Sequence, residues 1–254
     1  MGVVNVTPDS FSDGGRFFDA QTAVAHARQL AADGADLIDI GGESTRPGAA
    51  SVSEQEELDR VLPVVQALQD LPVSVDTRRP AVMRAVLEAG ASMINDVEAL
   101  GAPGAVQAVA ASGCAICLMH KKGEPATMQQ APYYEDVLKE VKFFLNERVE
   151  KCMAAGIAAN RLVVDPGFGF GKTAEHNLTL LRNLRKLSDL PIVAGLSRKS
   201  TLGKLTGRPV EERLAGSLAM ALLALQAGAR ILRVHDVRET RDVIAVWHAF
   251  KNDS

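Results

Sequence analysis

The stretch "PVSVDTRRPAVMRAVLEAGASMINDV" at residues 72–97 contains one strand–helix–strand unit. Its ends, "PVSVDT" and "SMINDV", are short apolar runs with β-branched residues, which is typical of buried strands. Between them, "VMRAVLEAGA" places apolar residues three and four positions apart, as one face of a helix requires, and it includes a glycine that can close the helix. The stretch therefore predicts two strands joined by a helix.

The same unit recurs along the whole chain. Apolar runs of strand length occur at eight places: "GVVNV" (2–6), "DLIDIGG" (36–42), "PVSVDT" (72–77), "SMINDV" (92–97), "AICLMH" (115–120), "LVVDPG" (162–167), "PIVAGLS" (191–197) and "ILRVHD" (231–236). Helical patterns start near Ala20, Ser53, Pro80, Pro103, Tyr134, Ala174, Pro209 and Arg238. Apolar strands that alternate with helices predict a parallel α/β sheet, and eight units predict a TIM (β/α)8 barrel that forms a single domain over residues 1–254. An open doubly wound sheet would ordinarily place a G-x-G-x-x-G loop after its first strand, where this chain has "NVTPDSFSDGG".

Composition narrows the classes of partner. The chain has 254 residues, 47% hydrophobic content and a net charge of −3, which is typical of a soluble globular protein. No apolar run approaches the ~18 residues of a membrane span, and no secretion signal is visible, so we expect a cytoplasmic protein without a membrane partner. A slight acidity and 4% aromatic content argue against a nucleic-acid surface. Small molecules are the expected ligands.

The three cysteines do not predict a metal site. Cys114 and Cys117 form a C-x-x-C motif, but residues three apart on a strand point to opposite faces. No second such motif completes a zinc site, and an odd number of cysteines suits a reducing compartment. We expect Cys114, Cys117 and Cys152 to be buried structural residues.

Polar residues follow every predicted strand. In chain order they are Asn5 with Asp9, Asp39 with Glu43 and Arg46, Asp76, Asn95 with Asp96, His120, Asp165, Arg198 with Lys199, and Arg233 with His235. Any single one could simply cap the next helix. Because the catalytic groups of a TIM barrel come from the C-terminal ends of its strands, the whole set predicts an active site there. Arg233 and His235 are two apart on the predicted eighth strand and should project to the same side.

The stretch "DPGFGFGKT" at residues 165–173 ends like a phosphate-binding loop. A G-x-x-x-x-G-K-[ST] loop would need its first glycine at Pro166, which has no N–H to offer an anion. The spacing therefore argues against a phosphate-loop ATPase. We expect Asp165 to be the functional residue, and Lys172 and Thr173 to lead into the next helix.

Five motifs together resemble the dihydropteroate synthase family: "NVTPDSFSDGG" (5–15), "IDIGGESTRPGA" (38–49), "DPGFGFGK" (165–172), "GLSRKS" (195–200) and "RVHDV" (233–237). They occur in the family's order and span nearly the whole chain. The resemblance implies a TIM-barrel transferase of folate biosynthesis. Such an enzyme condenses 6-hydroxymethyl-7,8-dihydropterin pyrophosphate with p-aminobenzoate, giving 7,8-dihydropteroate and pyrophosphate.

The resemblance also implies a role for individual residues. The pterin would be bound by Asp76, Asn95, Val97, Met119, Asp165, Phe170 and Lys199. The pyrophosphate would be bound by Asn5, Thr45, Arg46, Arg233 and His235, and Asn5 would also hold Mg2+. The p-aminobenzoate would be bound by Phe11, Thr45, Pro47 and Ser200. The catalytic set would be Asp76, Asp165, Lys199, Arg233 and His235.

The expected mechanism is an SN1-like ionisation of the C–O bond to pyrophosphate, followed by attack of the aniline nitrogen on the pterin cation. The resemblance further implies a homodimer and sulfonamide binding. Family members carry a segment before strand one that we expect to be missing here. Two alternatives remain: a pterin-binding methyltransferase domain, which would not need the "STRPGA" and "SRKS" loops, and a non-catalytic pterin-binding paralogue, which should have lost ionic residues.

Overall fold

A computed structural model describes residues 1–6, 16–43, 52–124 and 127–252. All eight predicted strands are present. They are β1 (Gly2–Asn5), β2 (Ile38–Gly41), β3 (Val73–Asp76), β4 (Met93–Asp96), β5 (Ala115–Met119), β6 (Leu162–Asp165), β7 (Val193–Ala194) and β8 (Ile231–Leu232). The described helices are α1 (Arg16–Ala32), α2 (Glu54–Ala67), α3 (Pro80–Glu88), α4 (Ala105–Ala110), α5 (Val137–Ala154), α6 (Ala174–Arg182), α7 (Ser200–Thr206), α8 (Leu214–Gln226) and α9 (Val237–Asn252).

The strands form a closed parallel barrel. Strands β1 to β6 pair in sequence order, and β7 pairs with β8. A parallel bridge between Val164 and Ile192 joins β6 to the β7 side, and another between Gly2 and Val234 joins the β8 side to β1. The TIM barrel is therefore confirmed, and every strand's C-terminal end lies at one mouth.

Strand residues alternate between two apolar clusters. Val4, Ile40 and Val75 belong to a large cluster that includes the buried faces of the helices. Met93 and Cys117 belong to a separate small cluster, together with other inward-facing strand residues. Because strand side chains alternate between faces, the small cluster fills the inside of the barrel.

The register places the polar residues on the inward face. Asp39 is paired with Ser74, which is paired with Met93 of the interior cluster. In the next inward layer, Asp76 is paired with Asn95, and Asn95 with Cys117. The two-residue period of the strands thus directs these side chains into the barrel, above an apolar floor.

Local sequence explains the starts of several helices. Ser53 caps α2 by accepting a hydrogen bond from the backbone N–H of Glu56, and Asp136 caps α5 in the same way. Thr173 caps α6 in a reciprocal capping box with His176, which confirms that Thr173 leads into a helix.

Two sequence predictions need correction. The single helix expected near Pro209 is two helices, α7 and α8, because Gly207 in the left-handed conformation ends the first. Strand β8 ends at Leu232, so Arg233 and His235 follow the strand instead of lying on it.

The structure also describes the cysteines and the apolar content of the helices. The three cysteines are buried and unbridged, as expected. Among the helices of the described ranges, none has the length and apolar content that crossing a membrane requires.

Candidate active site

An arginine bridges two carboxylates at the centre of the barrel mouth. Arg233 Nε lies 2.6 Å from Asp39 Oδ2, and Arg233 Nη2 lies 3.1 Å from Asp76 Oδ2. Burial alone would lower the pKa of Arg233, but the charges of Asp39 and Asp76 outweigh it and raise the pKa. The guanidinium therefore stays charged and is fixed by contacts from two neighbouring strands.

Asp76 has an unusual protonation equilibrium. Burial raises the pKa of Asp76 to about 7, and the neighbouring charge of Asp39 adds to that shift, while Arg233 opposes it. Near neutral pH, Asp76 can therefore hold a proton or release one. Such a pKa is common in active sites.

Asp165 and Lys199 lie beside this arginine. A methyl group placed on Gly195 would lie 3.8 Å from Lys199 Nζ, 3.9 Å from Asp165 Oδ2 and 3.9 Å from Arg233 Cβ. The three side chains thus surround one point, and the glycine leaves that point open. Burial lowers the pKa of Lys199 to about 8, although the charge of Asp165 acts in the opposite direction.

The loop after β6 holds Asp165 and Phe170 in place. Asp165 Oδ1 accepts a hydrogen bond of 2.7 Å from the backbone N–H of Gly167. Burial raises the pKa of Asp165 despite the nearby charge of Lys199. Lys199 Nζ donates to the carbonyl of Phe168 and lies 4.6 Å from the centre of the Phe170 ring. One ammonium group therefore contacts both the loop and its aromatic ring.

The prediction that Lys172 only leads into the next helix is wrong, because its side chain joins two loops. The side chain is buried, and its Nζ lies 2.8 Å from His120 Nδ1 and 3.0 Å from each of the carbonyl oxygens of Gly167 and Phe170. Burial lowers the pKa of Lys172 to about 7. Burial, together with Lys172, lowers the pKa of His120 to about 3. Lys172 therefore ties the loop after β6 to the loop after β5.

Further predicted site residues surround these groups. Asn95 Nδ2 donates a 3.2 Å hydrogen bond to Asp39 Oδ2. Val97 and Met119 are both buried. Val97 follows Asn95 by two residues, and Met119 follows Cys117, the partner of Asn95 on β5, by two residues. A methyl group placed on Gly41 would lie 3.7 Å from Asn5 Oδ1 and 3.8 Å from Asp76 Cβ, so Gly41 leaves space between those two side chains.

His235 is held by the loop after β7. Its Nδ1 lies 3.1 Å from Ser197 Oγ, and its backbone N–H donates to the same oxygen. The neighbouring Asp236 forms an ion pair with Arg198, a non-glycine residue with φ of 57°. Ser200 is exposed at the start of α7, next to Lys199.

A second ionic cluster joins the described residues on either side of residues 44–51. Arg79 Nη1 lies 3.0 Å from Glu43 Oε2 and also contacts the carboxylate of Glu57, of which only 1% is exposed. Arg79 Nη2 donates to the carbonyl of Val52. One guanidinium thus contacts both described flanks of residues 44–51.

Some predicted residues do not join the mouth, and others cannot be placed. Asp96 points out of the barrel, where its carboxylate accepts hydrogen bonds from the backbone N–H groups of Glu98 (2.7 Å) and Leu100 (2.8 Å). His120 likewise faces outward, towards Tyr134 and Phe144. The predicted residues Asp9, Phe11, Thr45, Arg46 and Pro47 lie outside the described residues.

Sequence reasoning assigned no specific role to Asp39, yet its carboxylate contacts both Arg233 and Asn95. The available signal was one carboxylate inside the apolar run "DLIDIGG", at a position that the two-residue period directs into the barrel. What could not be read locally is the identity of its partners, which lie 194 and 56 residues away along the chain.

Comparisons with known proteins agree with this architecture. A family model described as pterin binding enzyme matches residues 1–235. The dihydropteroate synthase of Haemophilus influenzae is 48% identical over 99% of this chain and 94% of its own length, and that of Escherichia coli K12 is 50% identical over 98% and 90%.

Solved structures show the same likeness. A Yersinia pestis dihydropteroate synthase, in complex with a sulfonamide drug, superposes with a TM-score of 0.94 at 50% identity, covering 99% of this chain and 94% of that one. A Xanthomonas albilineans dihydropteroate synthase in complex with 7,8-dihydropteroate superposes with a TM-score of 0.90 at 51% identity, covering 99% and 92%.

Proposed function

The chain belongs to the dihydropteroate synthase family, and on that premise we propose how its residues divide the reaction. The enzyme is a transferase of folate biosynthesis. It condenses 6-hydroxymethyl-7,8-dihydropterin pyrophosphate with p-aminobenzoate, and it releases 7,8-dihydropteroate and pyrophosphate.

In this proposal, Asp165, Asp76 and Asn95 bind the pterin ring. The amino and N–H groups of a pterin suit carboxylate and amide acceptors, and a hydrogen bond to a buried charged group contributes about 1.5–3 kcal/mol. The observation that carries the proposal is the convergence of Asp165, Lys199 and Arg233 around the open position at Gly195. Val97, Met119 and Phe170 would line the ring.

We propose that the enzyme accelerates the chemical step by stabilising the charges that develop on the pterin and on the pyrophosphate. Ionisation of the C–O bond places positive charge on the pterin and negative charge on the departing pyrophosphate. Asp165 and Asp76 would stabilise the cation, and Lys199 would hold the ring carbonyl and nitrogen. The aniline nitrogen of p-aminobenzoate then forms the new C–N bond and loses a proton. No protein nucleophile is needed in this scheme.

The departing pyrophosphate would be bound by Arg233, His235 and Asn5. Arg233 uses Nε and Nη2 for its carboxylates, and its Nη1 makes no hydrogen bond within the part of the chain that the structure describes. The assigned roles of Thr45 and Arg46 in binding pyrophosphate remain proposals from the family.

Mg2+ is proposed as the cofactor. The amide oxygen of Asn5 is a hard ligand of the type that Mg2+ takes, and Gly41 leaves space beside it. Within the described ranges, no group of three or more His, Cys, Asp or Glu side chains could hold a metal ion, so phosphate oxygens and water would have to supply further ligands. When bound, Mg2+ would neutralise charge on the pyrophosphate.

The p-aminobenzoate site is proposed to lie at Ser200 and at Phe11, Thr45 and Pro47. Ser200 is exposed directly after Lys199, so a ligand that contacts its hydroxyl would be near the pterin end of the site. The aniline nitrogen must approach the carbon that loses pyrophosphate. This places the benzoate carboxylate on the solvent side of the mouth.

A cytoplasmic homodimer is the proposed state in the cell. Exposed apolar side chains occur on the last three helices and the turn between two of them: Leu205, Val210, Leu214, Leu223, Val246 and Phe250. Exposed apolar side chains on helices that pack against one another are typical of a protein interface. Leu223→Lys should yield a monomer in sedimentation velocity, whereas Phe143→Lys, which changes an equally apolar exposed residue of α5, should leave a dimer. A monomeric wild type would contradict this part of the proposal.

Positional isotope exchange tests the ionisation mechanism directly. The oxygen that joins the pterin CH2 group to the first phosphorus of dihydropterin pyrophosphate is labelled with 18O. The enzyme is incubated with this labelled substrate and Mg2+ in the absence of p-aminobenzoate. Reversible ionisation should move the label into non-bridging positions of recovered substrate. When p-aminobenzoate is added, dihydropteroate and pyrophosphate should appear in equal amounts. Condensation without exchange would favour direct displacement, and pyrophosphate release without condensation would contradict the synthase assignment.

A further inference from the structure

We propose that Asp39 is a positioning residue that fixes the orientation of the Asn95 amide, so that Asn95 offers its carbonyl oxygen to an N–H of the bound ring. This inference rests on the proposed function, because it assumes that Asn95 contacts the pterin. Asp39 itself would not touch the substrate.

The location of Asp39 supports an indirect role. Its side chain is on the inward face of β2, and none of it is exposed. A single oxygen, Asp39 Oδ2, accepts hydrogen bonds from both Arg233 Nε at 2.6 Å and Asn95 Nδ2 at 3.2 Å. Asp39 is thus hidden behind two residues that reach the mouth.

The chemistry of the contact determines which end of the amide faces the ligand. Asp39 Oδ2 accepts hydrogen bonds from the guanidinium of Arg233 and from Asn95, so Asn95 turns its NH2 group towards Asp39. The other end of the amide, Asn95 Oδ1, makes no hydrogen bond within the described residues. It is therefore available as an acceptor. Asparagine alone could present either end, and the buried carboxylate removes that ambiguity.

The same carboxylate holds Arg233. Because Arg233 also contacts Asp76, its guanidinium plane is fixed by two carboxylates on adjacent strands. The other oxygen of Asp39, Oδ1, is buried and makes no hydrogen bond in the described part of the chain. A half-satisfied buried carboxylate is a poor stabiliser of a fold. Its position behind two site residues is more readily explained by the orientation it imposes on them.

The variant Asp39→Asn tests the proposal, since it keeps the shape and removes the charge. The probe is 6-hydroxymethylpterin, which has the ring but no pyrophosphate, and calorimetry measures its affinity. We expect a loss of about tenfold or more, equivalent to one charge-assisted hydrogen bond. KM for dihydropterin pyrophosphate should rise more than kcat falls.

Asp96→Asn is the matched control. Asp96, at the end of β4, is equally buried, but its carboxylate contacts only backbone N–H groups outside the barrel. This variant should lower the melting temperature and change ring affinity by less than about twofold. If both variants change ring affinity equally, Asp39 has a general structural role and the proposal is wrong.

A double-mutant cycle tests whether Asp39 acts through Asn95. In an Asn95→Ala background, Asp39→Asn should reduce ring affinity at least about threefold less than it does in the wild type. Equal losses in both backgrounds would overturn the proposal. If the wild type formed no dihydropteroate at all, the proposed function would fail instead, and the two failures are therefore distinguishable.

One measurement needs no variant of Asp39. In the wild type bound to 6-hydroxymethylpterin, the side-chain NH2 of Asn95 is assigned by NMR. We expect no scalar coupling across a hydrogen bond between Asn95 Nδ2 and a ring nitrogen, since the NH2 group donates to Asp39. A clear coupling to a ring nitrogen would show the opposite amide orientation and overturn the inference.

Discussion

Replacing Gly167 by alanine should separate two loops that the structure interlocks. Gly167 has φ of 67°, and a Cβ atom placed on it would lie 1.8 Å from the backbone carbonyl oxygen of His120. Ordinary contacts between carbon and oxygen are about 3.3 Å or longer. The loop after β6 or the loop after β5 must therefore move by roughly 1.5 Å, the difference between those distances.

The expected cost has two parts. The left-handed conformation costs alanine about 1–2 kcal/mol, of which about 0.4–1 kcal/mol is offset by the lower entropy of the unfolded chain. Displacing the loop also weakens the hydrogen bond from Gly167 N–H to Asp165 and the one from Lys172 to the carbonyl of Gly167. Each bond involves a charged or titratable group, so this part adds about 2–4 kcal/mol.

Gly156→Ala isolates the backbone part, since Gly156 has φ of 86° and nothing lies within 4 Å of a Cβ atom there. For a chain of this size, the extra cost of Gly167→Ala should lower the melting temperature by about 4–16 °C relative to Gly156→Ala. Scanning calorimetry measures both variants. The affinity for 6-hydroxymethylpterin should fall only in Gly167→Ala, because Asp165 moves. Equal melting temperatures for the two variants would refute the close packing of Gly167 against the carbonyl group of His120.

Three further outcomes are expected. Asp165→Asn should weaken ring binding about 10-fold to 100-fold and pyrophosphate binding much less, as equilibrium binding would show. The reverse pattern would show that the loop after β6 does not bind the pterin. For Lys172, the folded pKa of about 7 is below the unfolded value of 10.5, so the unfolded chain binds the extra proton between these values. Denaturation should therefore show the wild type gaining stability relative to Lys172→Met as the pH rises from 7 to 10.5, and a flat difference would place the Lys172 pKa elsewhere. Arg79→Gln leaves the carboxylate of Glu57 buried and unpaired and should lower the free energy of unfolding by about 3–5 kcal/mol. Arg28→Gln breaks an exposed ion pair and should change the free energy of unfolding little. Equal effects of the two variants would contradict the burial of Glu57.

The sequence predicted the fold well because the deciding signals are local. Each strand is a short apolar run, and each run is followed by a helical pattern, so eight units could be counted without any knowledge of contacts. The division of the segment after β7 into two helices was missed, because helix ends depend on individual backbone angles such as that of Gly207.

The site was predicted only in part, because contacts between distant residues decide it. Lys172 was expected in an ordinary lead into a helix, yet it is buried against His120, which comes from a different strand. Asp39 and Asp96 look alike in sequence, since each is an acid in or at the end of an apolar run. The two-residue alternation of each strand separates the two faces, and the register of the sheet shows that Asp39 is on the inward face and Asp96 on the outward one.

That alternation has a consequence for how the enzyme can change over generations. On β2, Ile40 faces the helices, while Asp39 and Gly41 on either side of it face the interior. Mutations at one set of positions alter chiefly the durability of the scaffold, and mutations at the other alter chiefly the chemistry in the mouth. Selection for a new inhibitor response can therefore act on every second residue of a strand, while the residues between them keep the barrel intact.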